Sequence, residues 1–244
     1  MSEERRNYSE AILKYQLSNT SDALEAIPSC YYEWVSQLIS TKNYSEAVQK
    51  YEIILEDYPE TIWACQEKAA VLSDLPDDIL FTLGSKYQQE NSNNVAMILY
   101  ETLLQNYPES QYVSQTIDNE VEIIAQGSYG SLPSLPPPTP QQLQGKAEVE
   151  IINDTPYTLT IMLSGEATKL IIIDGSPDSY EYMIGPFSAN APENANREMI
   201  TLEPGIYKIV AKVDKTGVSW YYGETTFEGD NKYTDWFYIK TQFS

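Results

Sequence analysis

The feature that most restricts the fold of this chain is a change of hydrophobic period at one place. Up to about residue 124, apolar side chains recur every three or four positions, the spacing of helices with one buried face. From residue 146 onward they alternate, as in "AEVEIIN", "YTLTIML", "KLIIID", "IYKIVAKV" and "YTDWFYIK", the spacing of half-buried strands. Between the two lies "AQGSYGSLPSLPPPTPQQLQG" (125–145), which holds five of the 14 prolines and no charged residue. Proline neither continues a helix nor donates to a strand ladder, so this stretch reads as an extended, semi-rigid linker. The expected fold class is multidomain α + β: a helical domain over 1–124, the linker over 125–145 and an all-β sandwich over 146–244.

The helical half repeats itself. "YEIILEDYPET" (51–61) returns as "YETLLQNYPES" (100–110), 49 positions later. A longer form, "NYSEAVQKYEIILEDYP" (43–59), has a partial copy upstream in "NYSEAILKYQ" (7–16) and one downstream in "NNVAMILYETLLQNYP" (93–108). Ala47 and Ala96 are small enough to let two helices cross closely, and Tyr51 and Tyr100 fill the gap to the next pair. Pro59 and Pro108 stop a helix; Pro28 and Pro76 fit its opening turn. Asn7 with Glu10, and Asn43 with Glu46, have the spacing of an N-cap and its reciprocating partner.

These segments resemble tetratricopeptide repeats, helix pairs of about 34 residues whose second helix ends in a small residue, an aromatic and a proline. On that resemblance the repeats span about 28–61 and 77–110, with a partial first repeat at 7–16, in an α-α superhelical arrangement. The pattern's buried positions fall on Tyr31, Trp34, Leu38, Tyr44, Ala47, Tyr51 and Ile54, and on Leu80, Leu83, Gly84, Tyr87, Ala96, Tyr100 and Leu103. The longer spacing here leaves 61–75 for an extra helix, and the lone second helix at 7–16 suggests a lost upstream segment or an atypical cap. The "YPET" and "YPES" endings, followed by Trp63 and Tyr112, also resemble repeat proteins of the bacterial cell envelope.

Such repeats hold protein partners in a groove formed by their first helices. The matching positions are Ser29, Tyr32, Ser36, Ile39 and Ser40 in one repeat, and Asp78, Phe81, Ser85, Gln88 and Gln89 in the other. The basic residues with which chaperone-binding members clamp a terminal carboxylate are missing there. Tyr32 and Phe81 have an alternative role, packing on the linker or the next helix.

Charge narrows the partners. Fifteen basic against 36 acidic residues leave a formal charge of −21, a field that repels nucleic acid and anionic lipid. No apolar run reaches the roughly 20 residues of a membrane-spanning helix, and "MSEERRNYSE" has no signal-peptide core. The expected location is the cell envelope or outside the cell, with a targeting segment trimmed from this chain; a cytoplasmic location stays open.

Chemistry-bearing constellations are sparse. With no histidine there is no Ser-His-Asp or Cys-His pair and no His-ligated metal. The reading is a non-enzyme with no catalytic residue, metal or cofactor. Cys30 and Cys65, 35 positions apart, either form a disulfide in an oxidising compartment or serve as two small buried side chains. "DGSPDS" (174–179) and "EGDNKYTD" (228–235) offer oxygen ligands but lack calcium-loop spacing. Asn7, Asn19, Asn43 and Asn153 open Asn-x-Ser/Thr triplets, and capping explains two of them better than glycosylation does. In the β half, seven or eight strands suggest an immunoglobulin-like or related sandwich, with Pro-Gly of "LEPGIYKIVAKV" in a tight turn. Trp220, Tyr221, Tyr222, Trp236, Phe237 and Tyr238 either line its core or present a sugar-binding face.

The expected function is non-enzymatic protein–protein recruitment or scaffolding, with the helical repeats holding a protein partner. Two rivals stand beside it: a surface-layer or filament subunit self-associating through the β domain, and a glycan-binding accessory protein.

Overall fold

A computed structural model describes residues 7–59, 61, 70–127, 129–176, 182–183, 191–215, 218, 220–238 and 240–241. The chain divides into two compact units, Met1–Thr116 and Ile117–Ser244. It is α plus β in the expected order, helices first and mixed sheets after.

In the first unit α1 (Tyr8–Ser18), α2 (Ser21–Ser40), α3 (Tyr44–Asp57), α4 (Asp77–Gln89) and α5 (Asn93–Asn106) follow one another, with a short 3-10 helix at Ala70–Asp74. The repetition written in the sequence is repeated in the backbone. After α2, Lys42 takes a left-handed conformation (φ 61°) and the Asn43 amide donates back to the Leu38 carbonyl at 2.8 Å. Forty-nine residues on, Asn91 is left-handed (φ 63°) and Ser92 donates to Tyr87 at 2.9 Å. That six-residue return bond caps a helix end and reverses the chain. The second helices end alike, on Tyr58 (φ −133°) and Tyr107 (φ −132°), each before a proline that excludes its predecessor from the helical region. Ala47 and Ala96, Tyr51 and Tyr100, Ile54 and Leu103 are all fully buried. A Cβ on Gly84 would lie 2.5 Å from the Tyr100 ring, so the glycine makes room for that aromatic.

Two local expectations meet a different outcome, and a third falls mostly outside the described residues. Pro28 does not open a helix: α2 begins seven residues earlier, where Thr20 Oγ1 accepts from the Ala23 amide, and Pro28 lies inside it on the buried side. Of the extra helix expected at 61–75, residues 62–69 lie outside the described residues, and Ala70–Asp74 is 3-10. Asn7 caps α1 as expected, but Asn43 makes no capping bond and holds only the Glu46 carboxylate, at 2.6 Å.

In the second unit β1 (Gly130–Ser131), β9 (Tyr221–Phe227), β8 (Gly205–Val213), β4 (Leu159–Ser164) and β5 (Lys169–Ile173) form one sheet, in that order. A second sheet runs β2 (Thr139–Pro140), β10 (Asn231–Tyr238), β3 (Ala147–Asp154), β7 (Asn196–Leu202), and β6 (Tyr182–Met183) pairs with β11 (Lys240–Thr241). Both larger sheets are mixed: β1 with β9 and β3 with β10 are parallel, while the remaining pairs are antiparallel. The Pro-Gly turn at 204–205 carries the chain from one sheet to the other instead of closing a hairpin. Alternate residues of both sheets, among them Val149, Ile151, Ile161, Ile171, Tyr207, Ile209, Phe227 and Tyr233, form one shared core.

Two segments read as part of the helical half or as linker belong to this unit. The helix α6 (Val113–Gln126) crosses the unit boundary, and its later turns lie on the outer face of the five-stranded sheet. There Glu122 pairs with Lys208 at 3.1 Å and Asp118 accepts from Thr168 at 2.9 Å. Ile117, Val121 and Ile124, spaced i, i+4, i+7, are buried, as are Met162 and Val210 on that face of the sheet. The proline-rich stretch is extended as expected but is not a free spacer. It begins as β1 on the edge of one sheet and ends as β2 on the edge of the other, with Leu132 and Leu135 packed on the shared core. Proline suits this place because edge strands are where a missing amide is tolerated.

Candidate functional site

The ten groove positions lie on α2 and α4, and the 49-residue offset maps each of the first five onto its counterpart. On α2, Ser36 and Ser40 are exposed, Ser29 and Tyr32 half-buried, and Ile39 buried. On α4, Asp78 and Gln89 are exposed, and Phe81, Ser85 and Gln88 half-buried. The α4 set is tied together by aromatics of its own unit. Phe81 stacks on Tyr112 with centroids 4.8 Å apart and planes at 14°. The Tyr100 hydroxyl donates to Gln88 Oε1 at 2.9 Å and lies 3.3 Å from the Ser85 hydroxyl. Asp78 receives the Ile79 amide at the helix start, where a carboxylate also meets the favourable end of the helix dipole. On α2 the counterpart of Gln88 is Ile39, which offers no acceptor, so the same network cannot form there.

Tyr112 and the Tyr100 hydroxyl are therefore parts of the site that pattern reading missed. The signal was available in Tyr112, the aromatic after the Tyr-Pro ending. It folds back onto a groove position instead of extending the surface. On α4 itself, burial first and then Glu52 push the Tyr87 hydroxyl far above its ordinary value, so it stays protonated. Cys30 is half-buried, and burial raises its thiol; Cys65 lies outside the described residues, as does any bridge between them.

The polar features of the second unit hold the chain to itself. Asn153 is fully buried: its amide donates to the carbonyls of Tyr157, Ile173 and Asp174 at 2.9–3.0 Å, and its oxygen receives the amide and hydroxyl of Thr155. A glycan could not be carried there. Asp230, in one of the acidic turns, accepts the amides of Leu143 and Gly145 at 2.8 and 2.9 Å, which hold its carboxyl below the usual range. In the other acidic turn, the Asp174 carbonyl is taken by Asn153 and Asn196, and residues 177–179 lie outside the described residues. Among the described residues no cluster of three or more Cys, Asp or Glu could hold a metal ion.

The aromatics of the last strands divide. Phe237 packs on the core, and Lys212 lies over Trp220 at 4.5 Å. Trp236 sits on the outer face, its indole N–H donating to Asp154 at 3.2 Å and its ring 5.1 Å from Tyr238. Asp235, between Tyr233 and Phe237 on the inward side of β10, is pushed up to about 6 by burial.

Comparison with known protein families, with curated proteins and with solved structures finds no match. Function is therefore argued from this geometry.

Proposed function

We propose that the protein is a non-enzymatic recruitment or scaffolding protein whose helical unit is a tetratricopeptide-like repeat and holds a protein partner along α2 and α4. The observation that carries this reading is the equivalence of the two helix hairpins, 49 residues apart, in turn bonding, terminal Tyr-Pro geometry and buried residues. Repeat proteins bind partners on the side formed by the first helices of successive hairpins. Ser36, Ser40 and Gln89 are exposed on it; Phe81, Ser85 and Gln88 give it a fixed shape through Tyr100 and Tyr112. The second unit is read as a sandwich related to immunoglobulin-like domains, and an envelope location rests on the Tyr-Pro endings. The lack of histidine removes Ser-His and Cys-His nucleophile pairs.

A photo-crosslinking residue at Ser36 or Gln89 of the full chain in its native cell tests the proposal. A discrete adduct with one protein from both positions is expected. Adducts of equal strength from a control at Thr201, or none from either helix, would sink it. The self-assembly reading also has an observation in its favour: Ile172 is 61% exposed on β5, an edge strand that ends its sheet. Size exclusion at rising concentration separates the two, because recruitment alone leaves a monomer.

A further inference from the structure

The proline-rich segment of the second unit has two sides. Leu132 and Leu135 turn inward onto the core, while Pro133, Ser134 and every residue from Pro136 to Gln142 are exposed. Inward positions three residues apart have the period of a polyproline II helix. Local chemistry leads to the same conformation. Proline fixes its own φ and drives the preceding residue out of the helical region, and within 132–140 only Ser134 escapes both constraints.

The segment is also anchored at both ends. The Leu132 amide donates to Tyr222 at 2.9 Å, β2 pairs with Asn231 and Lys232, and Asp230 holds the amides of Leu143 and Gly145. Closing the two sheet edges needs these anchors and the two leucines. It does not need the proline rings on the outside. The rings lie in the longest uncharged run of a chain with net charge −21, residues 123–145.

We propose that the exposed prolines on the two outward sides, Pro133 and Pro136 with Pro137 and Pro140, are a docking epitope for a protein partner with a groove lined by aromatic side chains. Such grooves read polyproline II ligands through pyrrolidine rings laid between aromatic faces, and they need no charge on the ligand. The epitope is ordered before binding, so the entropy of fixing it is lost on folding and not on association. With Leu132 and Leu135 turned into the core, the partner reads proline alone. The inference is independent of the helical unit and of its groove.

The test titrates the unlabelled full chain into 15N-labelled SH3, WW and EVH1 domains, three readers of this conformation. Shifts confined to the aromatic groove of at least one domain are expected, with a Kd of about 1 mM or tighter. The variant Pro136→Ala/Pro137→Ala should weaken binding at least about tenfold, a loss of roughly 1.4 kcal/mol, at an unchanged melting temperature. If it melts early, Pro137→Ala alone replaces it. A free peptide of residues 130–142 should bind more weakly than the folded chain. Absence of groove shifts with all three domains, undiminished binding by the proline variant, or a peptide as tight as the protein would each overturn the proposal.

Discussion

In the helical unit the closely packed pairs are neighbours in sequence, α1 with α2, α2 with α3 and α4 with α5, and one hairpin geometry is used twice. In the sheet unit the longest ladder joins β3 to β10 in parallel along eight residues, with Ala147 opposite Asn231. The first unit is thus built from local contacts and the second from contacts between its two ends. Local repetition makes each hairpin depend only on its neighbours, whereas a sheet closed by its termini needs strands from both ends of the unit. The difference predicts separate unfolding transitions with different sensitivities.

The largest expected effects test that separation. Tyr100 and Tyr207 are both fully buried, one in each unit. Truncating either to alanine should cost about 3–5 kcal/mol in its own unit. Chemical denaturation followed by residue-resolved hydrogen exchange should show Tyr100→Ala moving the helical transition and Tyr207→Ala the sheet transition. A variant that moved both equally would show a single cooperative body and break the comparison.

Next in size is Asn153→Ala. It removes the side-chain donor to the Ile173 carbonyl and the acceptor of the Thr155 amide, and buried groups left without partners cost about 1–3 kcal/mol each; the Tyr157 and Asp174 carbonyls keep the Thr155 hydroxyl and the Asn196 amide. We expect a loss of roughly 3 kcal/mol or more for the sheet unit, read as a lower denaturation midpoint, with the helical transition unmoved. In the helical unit the described bonds between elements are made by hydroxyls, such as Tyr107 to the Leu75 carbonyl and Ser110 to Asp77.

Those two architectures also explain what the sequence made legible. The change of period and the 49-residue repeat are local patterns, and both reappear in the backbone, down to Lys42 and Asn91 reversing the chain at matching places. The allegiance of α6 was not legible, because Ile117, Val121 and Ile124 show a helical stripe whatever it packs on. The proline segment pairs through only two residues at each edge, too few to leave an alternating signature. Parallel pairing of β3 with β10 is non-local and leaves no pattern in either strand. The candidate groove residues fall 49 positions apart on α2 and α4, but the stacking of Phe81 on Tyr112 depends on a fold-back that no period encodes.

A smaller effect has the opposite sign. Asp235 points toward the core from β10, and burial raises its carboxyl from the ordinary 3.8 to about 6, opposed by a bond from the Trp236 backbone. The fold prefers the protonated form, so its contribution is fully present below pH 3.8 and disappears as pH rises through 6. At neutral pH the ionised group costs about 2–3 kcal/mol. Asp235→Asn should therefore raise the sheet unit's stability by that amount at pH 7 and leave it nearly unchanged at a pH about one unit below 3.8. Equal stabilisation at both pH values would assign the gain to something other than the buried charge.

The smallest effect sharpens the same contrast from the other side. Glu122 on α6 is held below its ordinary 4.5, first by the bond from Lys208 and then by Gln126. A depressed carboxyl stabilises above its unfolded value and is lost as pH falls through the folded one, the reverse of Asp235. Both side chains of the pair are well exposed, 37% for Lys208 and 49% for Glu122, so solvent screening holds its worth to about 0.2–1 kcal/mol. Glu122→Gln should lower the sheet transition by no more than that at pH 7 and low salt, with the difference vanishing near 1 M salt, where the screening length is about 3 Å. Because the pair fastens α6 to β8, the reading to watch is which transition moves. A shift in the sheet transition assigns the later turns of α6 to the β unit; a shift in the helical one alone would return that helix to the repeats, where its period had placed it.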